Sequence, residues 1–152
     1  MPRTKTLSAD FYHSSSVFDQ EIETVFKKEW LWVARSDELS KPGSFITTDI
    51  IGYAIIVLRD HSNNLRAFHN VCRHRAARVV SSKNGVCKHM ICPYHGWKYD
   101  LNGKLMDTPK FFANEDFDES RHSLFDVLIE ERFGLIFVNF NMKSQSLKKW
   151  LG

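Results

Sequence analysis

The stretch NVCRHRAARVVSSKNGVCKHMICPYHGWKY, residues 70–99, holds two short pairs of metal-binding side chains. Cys72 and His74 form the first pair, and Cys92 and His95 form the second. Seventeen residues separate His74 from Cys92. Each pair offers one thiolate and one imidazole, which are common protein ligands for zinc and for iron. The spacing therefore predicts a metal centre held between two loops.

Two kinds of centre can use these four side chains. A single zinc ion can take them in tetrahedral geometry, but zinc fingers usually draw like ligands from each hairpin. Mixed pairs suit a cluster of two unlike metal ions, because each loop then delivers one ligand to each ion. A [2Fe–2S] centre with two Cys on one iron and two His on the other is such a cluster. The pattern favours this cluster and leaves a structural zinc site as the alternative.

The sequence around the pairs resembles a known family. CPYHGW, residues 92–97, looks like part of a Rieske iron–sulfur site. NVCRHRAAR followed by CPYHGWKYDLNGKL resembles the Rieske domain of the large (α) subunits of ring-hydroxylating and related Rieske non-haem iron oxygenases. The resemblance runs from about residue 7 to about residue 141. It implies a Rieske-type [2Fe–2S] cluster held by Cys72, His74, Cys92 and His95.

The resemblance also implies a fold and a division of the chain. The expected fold is mainly β, a Rieske-type antiparallel β-sandwich with an N-terminal amphipathic helix and a two-loop cluster-binding subdomain. Residues 1–35 are expected to form the N-terminal segment and helix, and residues 36–141 the Rieske domain. Its cluster-binding loops are placed at 70–79 and 91–99. Residues 142–152 are expected to begin a linker to a catalytic domain outside this sequence.

The function implied is one-electron transfer. In the family, a reductase or ferredoxin reduces the cluster, which then reduces a mononuclear Fe(II) in a C-terminal domain of the same or a neighbouring subunit. That iron is held by two His and one carboxylate, and residues 1–152 offer no such triad, so we expect Fe(II) only in that further domain. The full-length subunit is expected to form an assembly such as a homotrimer. The alternative is a stand-alone Rieske-type ferredoxin, although such carriers usually lack this N-terminal extension.

The substrate is not determined by this sequence. The family includes enzymes that act on aromatic rings and enzymes that act on quaternary amines. The NVCRHRAA stretch, residues 70–77, favours the amine branch. Whether the product is that of a monooxygenase or a dioxygenase stays open.

Composition excludes several other classes of protein. A chain of 152 residues with 43% hydrophobic and 26% charged residues is typical of one soluble globular domain. No apolar run approaches the roughly 20 residues that span a bilayer, and the N-terminus lacks the apolar core of a secretory signal. A net charge of +3 is too small to indicate nucleic-acid binding. Two of the three cysteines belong to the metal pairs, so a reducing, cytoplasmic location is expected.

Periodicity predicts the order of the elements. Helical spacing predicts one amphipathic helix over 17–29, packed on its own domain, with Ser16 and Asp19 close to a capping box. Residues 60–64 are predicted to form a hairpin turn, residues 111–119 a loop or short helix, and residues 146–152 a first helical turn. Runs rich in β-branched and aromatic residues predict strands at 31–34, 44–48, 53–59, 65–71, 86–91, 96–100, 104–107, 124–131 and 135–140.

Other candidate ligands are expected to be structural. Cys87 and His89 form a second Cys-x-His, but they precede Cys92 too closely to form an opposing loop. His69 is expected to point toward the core. A basic excess around the cluster is either a solvated face or a surface that steers an acidic redox partner; its members are Arg73, Arg75, Arg78, Lys83, Lys88, Lys98 and Lys104.

Overall fold

The computed structural model describes residues 5–109 and 117–152. Within these residues, ten strands form three antiparallel sheets, with strand orders β1-β10-β9, β4-β3-β2-β5 and β6-β7-β8. The strands are β1 Leu31–Arg35, β2 Ser44–Ile50, β3 Tyr53–Arg59, β4 Leu65–His69, β5 Asn84–Val86, β6 Met90–Ile91, β7 Lys98–Tyr99, β8 Leu105–Asp107, β9 Leu128–Arg132 and β10 Leu135–Asn139. The predicted mainly β, antiparallel architecture is confirmed. No helix of the described residues is long and apolar enough to cross a membrane.

The sheet β4-β3-β2-β5 is covered on both faces, which explains the continuous apolar run of β3. Ile55 and Val57 face one hydrophobic core, which they share with Ile136 and Val138 of the β1-β10-β9 sheet. Ile56 and Leu58, on the opposite face, belong to a second core. Side chains alternate between the faces of a strand, so a strand with two covered faces has no polar positions. The other members of the second core come mainly from the ligand-bearing region and include Met90, Trp97, Tyr99 and Leu105.

The N-terminal helix differs from the prediction. It is split into α1 Asp10–His13, α2 Ser15–Glu21 and a π-helical turn Ile22–Phe26, and none of these has a fully buried residue. The predicted capping box is absent, because the N-cap position is Ser14 and no side chain caps the helix. Phe18 is 52% exposed. The apolar stripe that periodicity assigned to intramolecular packing is therefore only partly covered by the described residues, with Val17, Ile22 and Phe26 half-buried and Val25 exposed.

The segment that follows the N-terminal helix meets the C-terminal segment at Trp30, which is buried. Its indole N–H donates to the carbonyl of Gln145 at 3.0 Å. The C-terminal helix α3, Leu147–Leu151, begins at Ser146, whose hydroxyl accepts from the Lys149 amide. The predicted helical turn at 146–152 is confirmed. In the region 111–119, residues 111–116 lie outside the described residues, and a 3₁₀ turn follows at Glu119–His122.

The prediction of one strand over 86–91 is wrong. The chain forms β5 and β6 there, and these strands belong to two different sheets. The Cys87 amide donates to the Gly43 carbonyl at 2.9 Å, and beyond it the chain leaves the middle sheet. Met90 is then fully buried in the second core and pairs with Tyr99. The pairing of Val86 with Ser44 in the middle sheet and the burial of Met90 in the second core therefore break a run that looks continuous in sequence.

The predicted turn at 60–64 is confirmed, and its closure comes from one buried carboxylate. Asp60 Oδ1 accepts from the amides of Ser62 and Asn64, both at 2.9 Å, and Oδ2 accepts from Arg66 Nε at 3.0 Å. Burial raises the pKa of Asp60, but these hydrogen bonds outweigh it and lower the pKa below the ordinary value. The carboxylate therefore stays charged and holds the β3–β4 hairpin in register.

Gly103 lies where two layers meet. It adopts a left-handed conformation with φ of +79°, and a Cβ at this position would lie 2.6 Å from Cε1 of Phe68. Its carbonyl accepts from the Leu124 amide at 2.8 Å. Both the backbone angle and the contact with β4 therefore require glycine.

Replacing Gly103 with Ala should destabilise the fold more than replacing Gly134, which has φ of +74° but no atom within 4 Å of its Cβ position. Gly134→Ala should cost about 1–2 kcal/mol for the left-handed angle alone. Gly103→Ala should cost a further ~1–3 kcal/mol, because the methyl group displaces the ring of Phe68. Urea denaturation of both variants measures the difference, and equal losses would contradict it.

Candidate metal centre

The first predicted loop is a tight backbone turn that begins at Cys72. The Cys72 amide donates to the Ala77 carbonyl at 2.7 Å, and the Ala76 amide donates to the Cys72 carbonyl at 3.0 Å. Ala76 has a left-handed φ of +55°. A non-glycine residue with such an angle is uncommon and held by its surroundings. The sequence analysis missed this feature, because two adjacent alanines carry no signal for a left-handed residue.

The backbone hydrogen bonds of the second loop repeat those of the first loop at equivalent positions. The Cys92 amide donates to the Trp97 carbonyl at 2.9 Å, and the Gly96 amide donates to the Cys92 carbonyl at 3.0 Å. Gly96 has φ of +77°. Here glycine supplies the left-handed angle that Ala76 supplies in the first loop. Two equivalent turns therefore present two equivalent cysteines.

The four predicted ligand side chains meet at these turns, sorted by type. Cys72 and Cys92 are 3% and 2% exposed, so both thiols lie inside. His74 and His95 are half-buried, and their ring centroids lie 4.6 Å apart at an interplanar angle of 64°. Thiols pair with thiols and imidazoles with imidazoles, although each loop carries one of each.

The electrostatics of the site suit a bound metal cluster. Burial raises the pKa of Cys92, the nearby Cys72 thiol raises it further, and the amides of Tyr94 and His95 oppose both effects. Burial lowers the pKa of His74, and the positive charges of His95 and Arg75 add to this. A neutral imidazole keeps a free lone pair for metal, and a metal ion displaces the proton of a buried thiol. The residues present therefore fit two thiolate and two imidazole ligands.

Tyr99 supports the first cysteine and was not singled out from the sequence. Its hydroxyl lies 3.4 Å from Cys72 Sγ and accepts from the Arg73 amide at 3.1 Å. Burial, followed by the hydrogen bond to Cys72, raises the pKa of Tyr99 far above its usual value. The phenol therefore stays protonated and is placed to donate to the sulfur.

Aromatic rings surround His74 on its inner side. Trp97 stacks on His74 with centroids 4.9 Å apart and an interplanar angle of 7°. His122 packs edge-on against Trp97 with ring centroids 5.9 Å apart, and its ring lies tilted against Phe117 with centroids 4.5 Å apart. Stacking on Trp97 therefore helps to fix the plane of the His74 imidazole.

The remaining candidates lie apart from the four central side chains. Cys87 is half-buried where the chain passes from β5 to β6, and burial raises its pKa. His69 packs against Tyr53 and Phe140 at centroid distances of 5.6 and 5.7 Å, and burial lowers its pKa. The expectation that His69 turns toward the core holds in part, since it is half-buried beside the first core.

Basic residues near the loops have different surroundings. The Arg73 guanidinium lies 3.7 Å from the ring centroid of Phe125 and donates to the Ser123 carbonyl at 3.2 Å. Arg78 pairs with Asp49 at 2.6 Å. Arg73 is therefore a fixed positive charge beside the first cysteine, whereas the charge of Arg78 is largely compensated.

Comparison with known proteins agrees with the geometry of the site. Residues 29–117 match the model of the Rieske [2Fe–2S] domain, so the chain belongs to the Rieske [2Fe–2S] domain family. Its relatives include oxygenase subunits. The chain is 40% identical over 132 residues to the carnitine monooxygenase oxygenase subunit of Acinetobacter baumannii, covering 86% of this chain and 35% of that protein.

Solved structures give the same picture. The apo form of a quaternary ammonium Rieske monooxygenase matches with a TM-score of 0.91 and 35% identity over 96% of this chain and 43% of that one. Naphthalene 1,2-dioxygenase from Rhodococcus sp. matches with a TM-score of 0.89 and 30% identity, over 97% of this chain and 34% of that one. The chain thus spans about a third to two-fifths of the length of these relatives, and the predicted Rieske-type fold is confirmed.

Proposed function

We propose that Cys72, His74, Cys92 and His95 hold a Rieske-type [2Fe–2S] cluster, with the cysteines on one iron and the histidines on the other. The observation that carries this proposal is the pair of equivalent turns, with both thiols buried and both imidazoles half-buried. When bound, such a cluster accepts and gives up one electron at a potential set by its ligands and their hydrogen bonds.

The proposed function is one-electron transfer as the Rieske domain of an oxygenase large subunit. The carnitine monooxygenase and naphthalene dioxygenase relatives support this function. A reductase or ferredoxin would supply the electron. A mononuclear Fe(II) in a catalytic domain, of the same or a neighbouring subunit, would receive it. The chain is more similar to the carnitine enzyme, at 40% identity, than to naphthalene 1,2-dioxygenase, at 30%, and this difference supports a quaternary amine substrate. A cytoplasmic location and a homotrimer belong to the same proposal.

The division of the chain is proposed with it. Residues 36–141 would form the cluster-binding unit, and residues 142–152 would lead toward the catalytic domain. The described structure adds that β1, within residues 1–35, pairs with β10. The N-terminal segment would therefore contribute a strand to the sandwich as well as its helix.

Electrons would enter and leave at the imidazole end of the site. His74 and His95 are half-buried, whereas both cysteines are fully buried. Tyr94 packs on His95 with centroids 3.8 Å apart and is 59% exposed, and Ile91, which directly precedes Cys92, is also exposed. An apolar surface next to the imidazoles suits a partner that must approach them closely.

Replacing either proposed cysteine ligand should abolish the cluster. We expect Cys72→Ser and Cys92→Ser to lose the red-brown colour and the two irons per chain, because serine cannot supply a thiolate. Cys87→Ser is the matched control and should keep both. Iron and acid-labile sulfide assays with visible spectra measure the outcome. Loss of the cluster in Cys87→Ser, with Cys72→Ser fully loaded, would overturn the assignment, and zinc in place of iron would favour a structural site.

Tyr99→Phe should lower the midpoint potential of the cluster. The phenol hydrogen bond to Cys72 stabilises the more negative, reduced form, and a neutral hydrogen bond contributes about 0.5–1.5 kcal/mol. For one electron, this corresponds to a fall of roughly 20–60 mV. Tyr94→Phe is the control, because it also removes one phenol hydroxyl but keeps the ring that packs on His95, so the midpoint potential of this variant should not move. Potentiometric titration measures the midpoint potential of both variants. An unchanged potential in Tyr99→Phe would show that the hydrogen bond between Tyr99 and Cys72 does not affect the cluster.

A further inference from the structure

The two ligand loops have equivalent turns at Cys72 and Cys92, but the segments that flank each turn, here called the base of the loop, differ. The base of the second loop is a β-ladder, in which Met90 pairs with Tyr99 and Ile91 pairs with Lys98. Residues 70–71 and 78–80, at the base of the first loop, are not strands. The first loop must therefore be closed in another way.

The side chain of Asn70 closes it. Oδ1 accepts from the amides of Val79 and Val80 at 3.1 and 2.9 Å, and Nδ2 donates to the Val80 carbonyl at 2.7 Å. These contacts use both a donor and an acceptor of the Val80 backbone, as a neighbouring strand would. Asn70 is 0% exposed, and its own amide donates to the Ala54 carbonyl of β3 at 2.8 Å. The side chain of Asn70 thus joins the two ends of the loop, and its backbone amide ties them to the middle sheet.

We infer that Asn70 is a positioning residue that sets where Cys72 and His74 stand relative to the second loop. The inference rests on the proposed ligand assignment. Replacing the Asn70 side chain leaves the backbone groups of Val79 and Val80 without their hydrogen-bond partner. Unsatisfied buried groups are costly, so the two ends of the loop would tend to open. Because the β-ladder of the second loop does not depend on Asn70, the two halves of the site would separate.

A cluster that takes half its ligands from each loop is sensitive to this separation. Cys72 and His74 would move together, while Cys92 and His95 would stay in place. Residues that orient metal ligands from outside typically change metal affinity by about 10- to 100-fold when they are replaced. We therefore expect Asn70 variants to release iron faster by a factor in this range, with an altered spectrum.

Asn139 provides a matched control. It is also 0% exposed and also makes three side-chain hydrogen bonds, with the Lys28 carbonyl at 3.1 Å, Ser144 Oγ at 3.0 Å and the Asn141 amide at 2.8 Å. It ends β10, in the β1-β10-β9 sheet, whereas the ligand loops follow strands of the other two sheets. If replacing Asn70 only lowers the stability of the fold, variants of Asn70 and of Asn139 should therefore behave alike.

The experiment compares Asn70→Asp and Asn70→Ala with Asn139→Asp and Asn139→Ala in the cluster-loaded chain. Asn70→Asp keeps the acceptor oxygen and the volume but removes the donor to Val80. Iron release to a ferrous chelator, visible circular dichroism and the midpoint potential are measured below the unfolding temperature. The Asn70 variants should release iron about 10- to 100-fold faster and change the spectrum, and the Asn139 variants should match the unmodified chain in both.

Equal behaviour of the two sets would overturn the inference, whether both change or neither does. A cluster that survives in Cys72→Ser would instead refute the ligand assignment, so the two failures are distinguishable. If the Asn70 variants do not fold, amide hydrogen exchange in the unmodified chain decides. Protection of Val79 and Val80 should rise on cluster loading, because coupling is reciprocal, more than that of Asn141. An equal rise, or none, would overturn the inference.

Discussion

Burial of the β4-β3-β2-β5 sheet on both faces is the constraint on which the rest of this structure depends. One face packs against the β1-β10-β9 sheet, and the other packs against the region that carries the ligand loops. A strand whose two faces are covered must be apolar along the covered stretch, as β3 is from Ile55 to Leu58. The ligand region therefore does not build a core of its own from two-residue strands. It uses a face of the larger sandwich.

This arrangement explains how short elements can hold a precise site. β6 and β7 contain two residues each, and such strands are marginal alone. Met90, Trp97 and Tyr99 are nevertheless almost completely buried, and they tie the loops to Phe68 and Leu58 of the middle sheet. Trp97 then stacks on His74, and the Tyr99 hydroxyl lies beside Cys72. The residues that build the second core are thus the same residues that orient the proposed ligands.

The equivalence of the two loops separates the donor atoms by depth. Both cysteines start a turn of the same form and point inward, whereas the histidines follow two and three residues later and lie nearer the surface. The proposed cluster would therefore have a buried thiolate end and an accessible imidazole end. In the proposed function, electron exchange with a partner would take place at the accessible end, because a partner can come close to the imidazoles without opening the core.

The residue types and spacing by themselves determined the four proposed ligands, the two-loop site, the mainly β class, and most of the strands, such as β3 and β10. These features depend on local patterns, because the alternation of apolar and polar residues, the turn residues and the ligand spacing each span only a few consecutive residues. Only the tertiary structure decided that residues 86–91 divide between two sheets, since Val86 pairs with β2 and Met90 pairs with β7. It also decided the left-handed angle of Ala76, the contacts of Tyr99 and Asn70, and the exposure of α2. Each of these depends on groups that are distant in sequence or on which surfaces remain uncovered, and no local pattern carries that information.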